Sequence, residues 1–159
     1  MDINSFQTLD REAQLAEAGR IAGVEPSVFD GIWRTESGRG ANMLSPAGAE
    51  GHFGLMPKTR KTMEQRLGTS IDPHNFGQAL YTSALLMKEN LGRFGNVPDA
   101  LRAYNGGWNP KTWGNTETAA YASKVLGTDE EEGEAELNAS TAQALAQGRV
   151  VTPAASLWE

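Results

Sequence analysis

Three short stretches hold the side chains whose types and spacing could do chemistry. Glu36 follows the apolar stripe Phe29, Ile32 and Trp33 by one helical turn. It therefore falls at the end of a core helix, facing whatever cleft that end borders. Apolar surroundings disfavour an ionised carboxyl, raise its pKa towards neutrality and make it a competent proton donor. A Glu before Ser-Gly at a helix end is common, and taken alone it suits a capping or solvated role better. The second stretch, Ser45 to Pro57, is rich in glycine yet contains Phe53, Leu55 and Met56. Exposed loops seldom combine these, whereas loops that line a groove often do. The same apolar residues would also serve to plug a core. The third stretch, Ala103-Tyr104-Asn105-Gly106-Gly107-Trp108-Asn109, offers hydrogen bonds from Tyr and Asn and an apolar Trp face on which a sugar ring can stack. Its alternative is structural, with Tyr104 in the core and Asn105 as a helix cap.

The elements that must position these residues read as helices. Asp10 is a cap before Leu15, Ala18, Ile21 and Ala22 at helical spacing. Pro26 suits the first turn of a helix with the stripe Val28, Phe29, Ile32 and Trp33, ended by Gly38 and Gly40. Pro57 opens a basic helix with Lys58, Arg60, Lys61 and Arg66, closed by Gly68; its cations suit a solvated face, or contact with an anionic partner. Asp72-Pro73 is expected to start the longest helix, which buries Phe76, Leu80, Ala84, Met87, Leu91 and Phe94 and stops at Gly95. Val97-Pro98-Asp99 starts the next, and Thr116-Glu117 the last, which carries Ala120, Tyr121, Lys124, Val125 and Leu126 up to Gly127. Only an irregular piece near 42–54 suggests a strand. The fold class is mainly α.

Composition narrows the functions further. The 159 residues are 39% hydrophobic, 8% aromatic and 21% charged, which suits one folded domain and excludes a wholly disordered chain. Without cysteine there is no disulfide, thiolate metal site or Cys nucleophile. His52 and His74 lack ligand spacing, so no metal is expected. No apolar run is long enough for a membrane span, and Met1 to Arg20 does not read as a secretory signal. The net charge of −6 argues against general nucleic-acid binding, and it is unevenly placed. Residues 1–127 hold thirteen basic and thirteen acidic side chains, whereas the last 32 residues set seven acids against Arg149. The chain thus divides into a folded domain, 1–127, an acidic self-repelling linker, 128–138, and a segment, 139–159. That segment reads as a disordered tail or as one that docks on a partner through Leu157 and Trp158.

Taken in order, these stretches resemble the soluble lytic transglycosylase catalytic domain of the lysozyme-like superfamily. The residues that carry the likeness are Glu36-Ser37, Ser45 to Gly51 with Leu55-Met56-Pro57, Ala103-Tyr104-Asn105-Gly106-Gly107, and the run Glu117 to Val125 with Thr118, Tyr121 and Lys124. The likeness covers about 20–127. One position departs from it: Gly54 stands where the family has a Gln that helps hold the sugar, and His52 or Phe53 would compensate by contacting the glycan.

The resemblance implies a helical domain with a groove and no cofactor, acting on peptidoglycan glycan strands at the β-1,4 bond between N-acetylmuramic acid and N-acetylglucosamine. Glu36 would be the catalytic acid, then the base, for closure of a 1,6-anhydro ring. Ser37 would orient the Glu36 carboxyl or a substrate acetamido group. Tyr104 would hydrogen-bond the carboxyl, Asn105 would contact the glycan, and Met56 and Phe53 would line the groove. A hydrolysing muramidase, with Glu50 as second acid, is the alternative within the same chemistry. A weakly active structural or glycan-binding virion protein is the alternative outside it. An enzyme of this family without an export signal fits a phage virion, where it would open the wall for DNA delivery and bind other virion proteins through the tail.

Overall fold

The computed structural model describes residues 1–127, so the acidic stretch 128–138 and the segment 139–159 lie outside the described residues. The described chain is helical in the order α1 (Ile3–Gln7), α2 (Arg11–Ala22), α3 (Pro26–Ser37), α4 (Pro57–Leu67), α5 (Phe76–Phe94), α6 (Val97–Gly106), a 3-10 turn (Pro110–Gly114) and α7 (Thr116–Leu126). Local chemistry sets most boundaries. Asp10 caps α2 by accepting the Ala13 N–H (2.8 Å), and prolines sit in the first turns of α3, α4 and α6. Side chains of Asn75, Asn96 and Asn115 cap α5, α6 and α7, each filling a backbone N–H that the helix itself leaves open.

Three features differ from the sequence reading. Helix α5 starts at Phe76 under Asn75 rather than at Asp72-Pro73, because those two residues are engaged elsewhere. The Pro73 carbonyl accepts the His52 N–H (3.1 Å), and the Asp72 carboxylate accepts the His74 N–H (2.9 Å). Helix α1 and the 3-10 turn were not expected; both are too short for periodicity to register. The irregular piece near 42–54 contributes only isolated bridges, Leu44 to Glu50 and Glu50 to Leu55.

The helices close into a ring in which α2 packs on α5, α5 on α6, α6 on α7, α7 on α3, and α3 back on α2. Phe6, Phe29, Ile32, Leu80, Met87, Leu101 and Tyr121 fill its centre. Phe94, expected in the core, is half-buried at the edge against Trp113, with ring centroids 5.2 Å apart. Helix α4 stands outside the ring, held by the buried Met63 and by Arg66 to Glu89 of α5 (3.2 Å). This leaves an open groove between α4 and the α5–α6 pair.

The contact of α3 with α7 matters most for the site. A Cβ at Gly31 would fall 2.0 Å from the Val125 carbonyl oxygen, so only glycine lets the two backbones meet there. Arg34 then donates to the carbonyls of Lys124 (2.8 Å) and Val125 (3.0 Å) at the end of α7. Together they set α7 beside the C-terminal turn of α3, which carries Glu36.

Candidate active site

The Glu36 carboxyl is half-buried at the end of α3. The Tyr121 hydroxyl of α7 donates to its Oε2 at 2.6 Å. On its other side is Gly54, so close that a Cβ there would lie 2.2 Å from Oε1. Burial pushes the Glu36 pKa up to about 7; the Tyr121 hydrogen bond opposes this, and the nearby Glu117 carboxylate adds to it. Such an acid holds its proton near neutral pH and can also give it up.

The two tyrosines divide the work differently from the expectation. Tyr104 does not bond the carboxyl. Its hydroxyl donates to the Phe53 carbonyl (2.7 Å), anchoring the loop next to Gly54, and its ring stacks on that of Tyr121 at 6.4 Å and 14°. Burial, reinforced by the Glu36 charge, holds both phenols well above their ordinary pKa, so each remains a neutral donor.

Three other expected contacts are corrected. Ser37 is buried, with its Oγ 2.8 Å from the His52 carbonyl and 3.1 Å from that of Trp33, and it accepts the Gly40 N–H (2.9 Å). It ties the loop to the helix end and is spent on backbone groups, so it neither orients Glu36 nor meets an acetamido group. His52 is buried, its Nδ1 accepting the Trp33 Nε1–H (3.1 Å). Burial, and then the Arg11 charge, lower its pKa, which suits a neutral acceptor. Phe53 is fully buried against Phe76, at 5.5 Å between centroids. The side chains of His52 and Phe53 therefore plug the core, and neither replaces the family Gln.

Met56 and Asn105 do border the groove, a cavity of about 630 Å³ whose walls include Gly54, Thr59, Thr62, Tyr104 and Trp108. The Asn105 amide is held at both ends: Nδ2 donates to Glu117 (2.9 Å), and Oδ1 accepts the Thr118 hydroxyl (2.6 Å). Glu50 is occupied with His74 (2.6 Å). Of the basic helix, Lys58 and Arg66 face the groove, while Arg60 pairs with Glu64 within α4 (3.3 Å). Sequence reasoning missed Tyr121 and Glu117 as site residues. The signal available was their spacing of four, which puts both on one face of α7.

The site is thus a half-buried acid, Glu36, held by Tyr121 and pressed against Gly54, which is itself on the wall of the groove between the helices. The sequence profile of the transglycosylase SLT domain family matches residues 14–126, and the chain belongs to that family. It is similar to the transglycosylase of Enterobacteria phage PRD1, with 38% identity over 103 residues, or 65% of this chain and 37% of the relative. Its fold matches that of the lytic transglycosylase Slt from Pseudomonas aeruginosa, solved as an inactive Glu-to-Gln mutant, with TM-score 0.60 and 24% identity over 73% of this chain and 22% of that one. The chain thus spans well under half the length of either protein.

The two groups that tune Glu36 should act in opposite directions. Tyr121→Phe removes the bond that favours the carboxylate, so the pKa rises and the alkaline fall of the pH–rate profile moves up. A hydrogen bond to a charged group contributes about 1.5–3 kcal/mol, so activity should also drop by roughly 10- to 100-fold. Glu117→Gln removes a like charge and moves the same limb down. Rate profiles between pH 5 and pH 9 test this; limbs that coincide in both variants would show that neither group tunes the acid.

Proposed function

We propose that the protein is a peptidoglycan lytic transglycosylase that cleaves the β-1,4 bond between N-acetylmuramic acid and N-acetylglucosamine. The observation that carries this reading is Glu36, its pKa pushed up to about 7 by burial, held by Tyr121 and set against Gly54 of the groove wall. Its proton passes to the glycosidic oxygen as the bond to the muramic C1 breaks, and N-acetylglucosamine leaves with a free 4-hydroxyl. General acid catalysis of this kind contributes about 10²–10⁴-fold. The resulting carboxylate, stabilised by the Tyr121 hydroxyl, takes the proton of the muramic 6-hydroxyl while that oxygen bonds to C1. An internal nucleophile needs no bound water and no second carboxylate. The likeness to the phage PRD1 transglycosylase supports a virion-associated role in opening the wall for DNA delivery, with the segment 139–159 as the part that meets other virion proteins.

A second reading has a specific observation in its favour. Glu117 lies near enough to raise the Glu36 pKa, and a second carboxylate is what a hydrolysing muramidase requires. Mass spectrometry of digested sacculi separates the two. Anhydro-terminated products, each lighter by one water than a reducing end, are expected; reducing ends alone would make the enzyme a hydrolase.

A further inference from the structure

Among the described residues four large hydrophobic side chains stand exposed, and two of them, Met56 and Trp108, line the groove. Trp108 is 42% exposed, yet it is firmly held. Its Nε1–H donates to Oδ1 of Asn90 (2.9 Å), and Asn90, buried in α5, is itself anchored by donating to the Ala100 carbonyl (3.1 Å). The Arg93 guanidinium lies 3.8 Å from the indole centroid and is not part of the groove wall. It therefore covers one face of a ring that is itself on the groove wall. The turn that carries Trp108 is braced as well: Trp113 Nε1–H donates to the Gly107 carbonyl (2.8 Å) and the Thr112 hydroxyl to that of Gly106 (3.0 Å). Nothing in the proton transfers at Glu36 requires this arrangement.

An exposed indole leaves apolar surface in water, a cost that ordinary packing would remove. Holding it in one orientation means that its conformational freedom is lost during folding and not again on binding. The surface that results is flat and apolar, in a groove whose wall also carries the polar residues Thr59, Thr62 and Asn105. A β-linked pyranose matches it, with axial C–H groups on one face and hydroxyl and acetamido groups around its rim.

We propose that Trp108 is a stacking platform for one N-acetylhexosamine ring of the bound strand, positioned by Asn90 and Arg93. This rests on the glycan reading above and adds a binding subsite to it. Trp108 thereby touches the strand and acts on its binding, while Asn90 and Arg93 act through Trp108.

The test uses protein carrying Glu36→Gln, so that ligand is not turned over, titrated with the tetramer of β-1,4-linked N-acetylglucosamine. The indole N–H resonance of Trp108, identified as the one missing from the Trp108→Phe variant, is expected to move on binding. In the same background Trp108→Ala should weaken binding by about 3- to 10-fold, the range of an aromatic stacking contact, and Trp108→Phe should retain most of the affinity. A tetramer that binds without moving that resonance, or binds the Ala variant as tightly, would overturn the platform, and so would no binding at all. The resonance answers the question even if the Ala variant does not fold. The products that unsubstituted protein makes from sacculi judge the transglycosylase reading separately.

Discussion

Glu36→Gln is expected to abolish glycan cleavage and, above neutral pH, to make the protein more stable. The loss follows from removing the proton donor of the proposed cleavage, about 10²–10⁴-fold for general acid catalysis, and further because in that proposal the same group is the base for ring closure. The gain in stability follows from linkage. The carboxyl has a pKa of about 7 in the folded protein against an ordinary value of 4.5. Between these values the folded state binds the proton more tightly than the unfolded chain does, so stability falls as pH rises through that window. The contribution is whole below about 4.5, and a constant penalty remains above about 7. At 1.36 kcal/mol per pH unit that penalty is of order 3 kcal/mol. Gln cannot ionise and escapes it. Denaturant unfolding should find the variant close to the parent at pH 4 and clearly more stable at pH 8. Equal gains at both values would show that Glu36 is not a buried acid, and retained cleavage would show that the proton comes from elsewhere.

Gly54→Ala should be nearly as damaging to activity by a purely geometric route. The added methyl would stand 2.2 Å from Oε1 and 2.6 Å from Cδ of Glu36, so the carboxyl must turn away from Tyr121 or the loop must withdraw. The backbone at Gly54 is left-handed, with φ of 64°, which costs a residue with a Cβ about 1–2 kcal/mol more. Displacing a catalytic group by about 1 Å can cost roughly 10²-fold in rate, and a loss of that order is expected with the overall fold kept. Gly54→Gln should fare no better, although Gln is the residue the resemblance would place there, because its Cβ meets the same atoms. Activity at the parental level in either variant would mean that the Glu36 carboxyl does not work from this position. Gly54 thus reads as the condition for this placement of the acid, rather than as a lost sugar contact.

The helices were largely legible because their signals are local. A cap, a first-turn proline, apolar residues at helical spacing and a closing glycine all lie within about a dozen residues, as in α3 from Pro26 to Gly38. Where a competing contact came from far along the chain, the boundary moved, as when His52 took the Pro73 carbonyl and left Asn75 to begin α5. Glu36 was legible only in part: its place one turn beyond an apolar stripe allowed a desolvated acid or a solvated cap, and the resemblance of the surrounding motifs singled it out.

The partners of that acid were not. Tyr104 and Tyr121 look alike in sequence, and the choice between them rests on how closely α3 and α7 approach, which Gly31 and Arg34 determine against residues some ninety positions away. His52 and Phe53 sit in a glycine-rich loop whose pattern suits a groove wall or a core plug equally well; Trp33 and Phe76, from two other elements, draw them inward. By itself the chain of residues determined where the longer helices run and marked Glu36 as a candidate acid, since propensity and burial pattern act over one or two turns. Only the tertiary structure decided what touches that carboxyl, because desolvation and hydrogen bonds depend on distances between elements that no local pattern encodes.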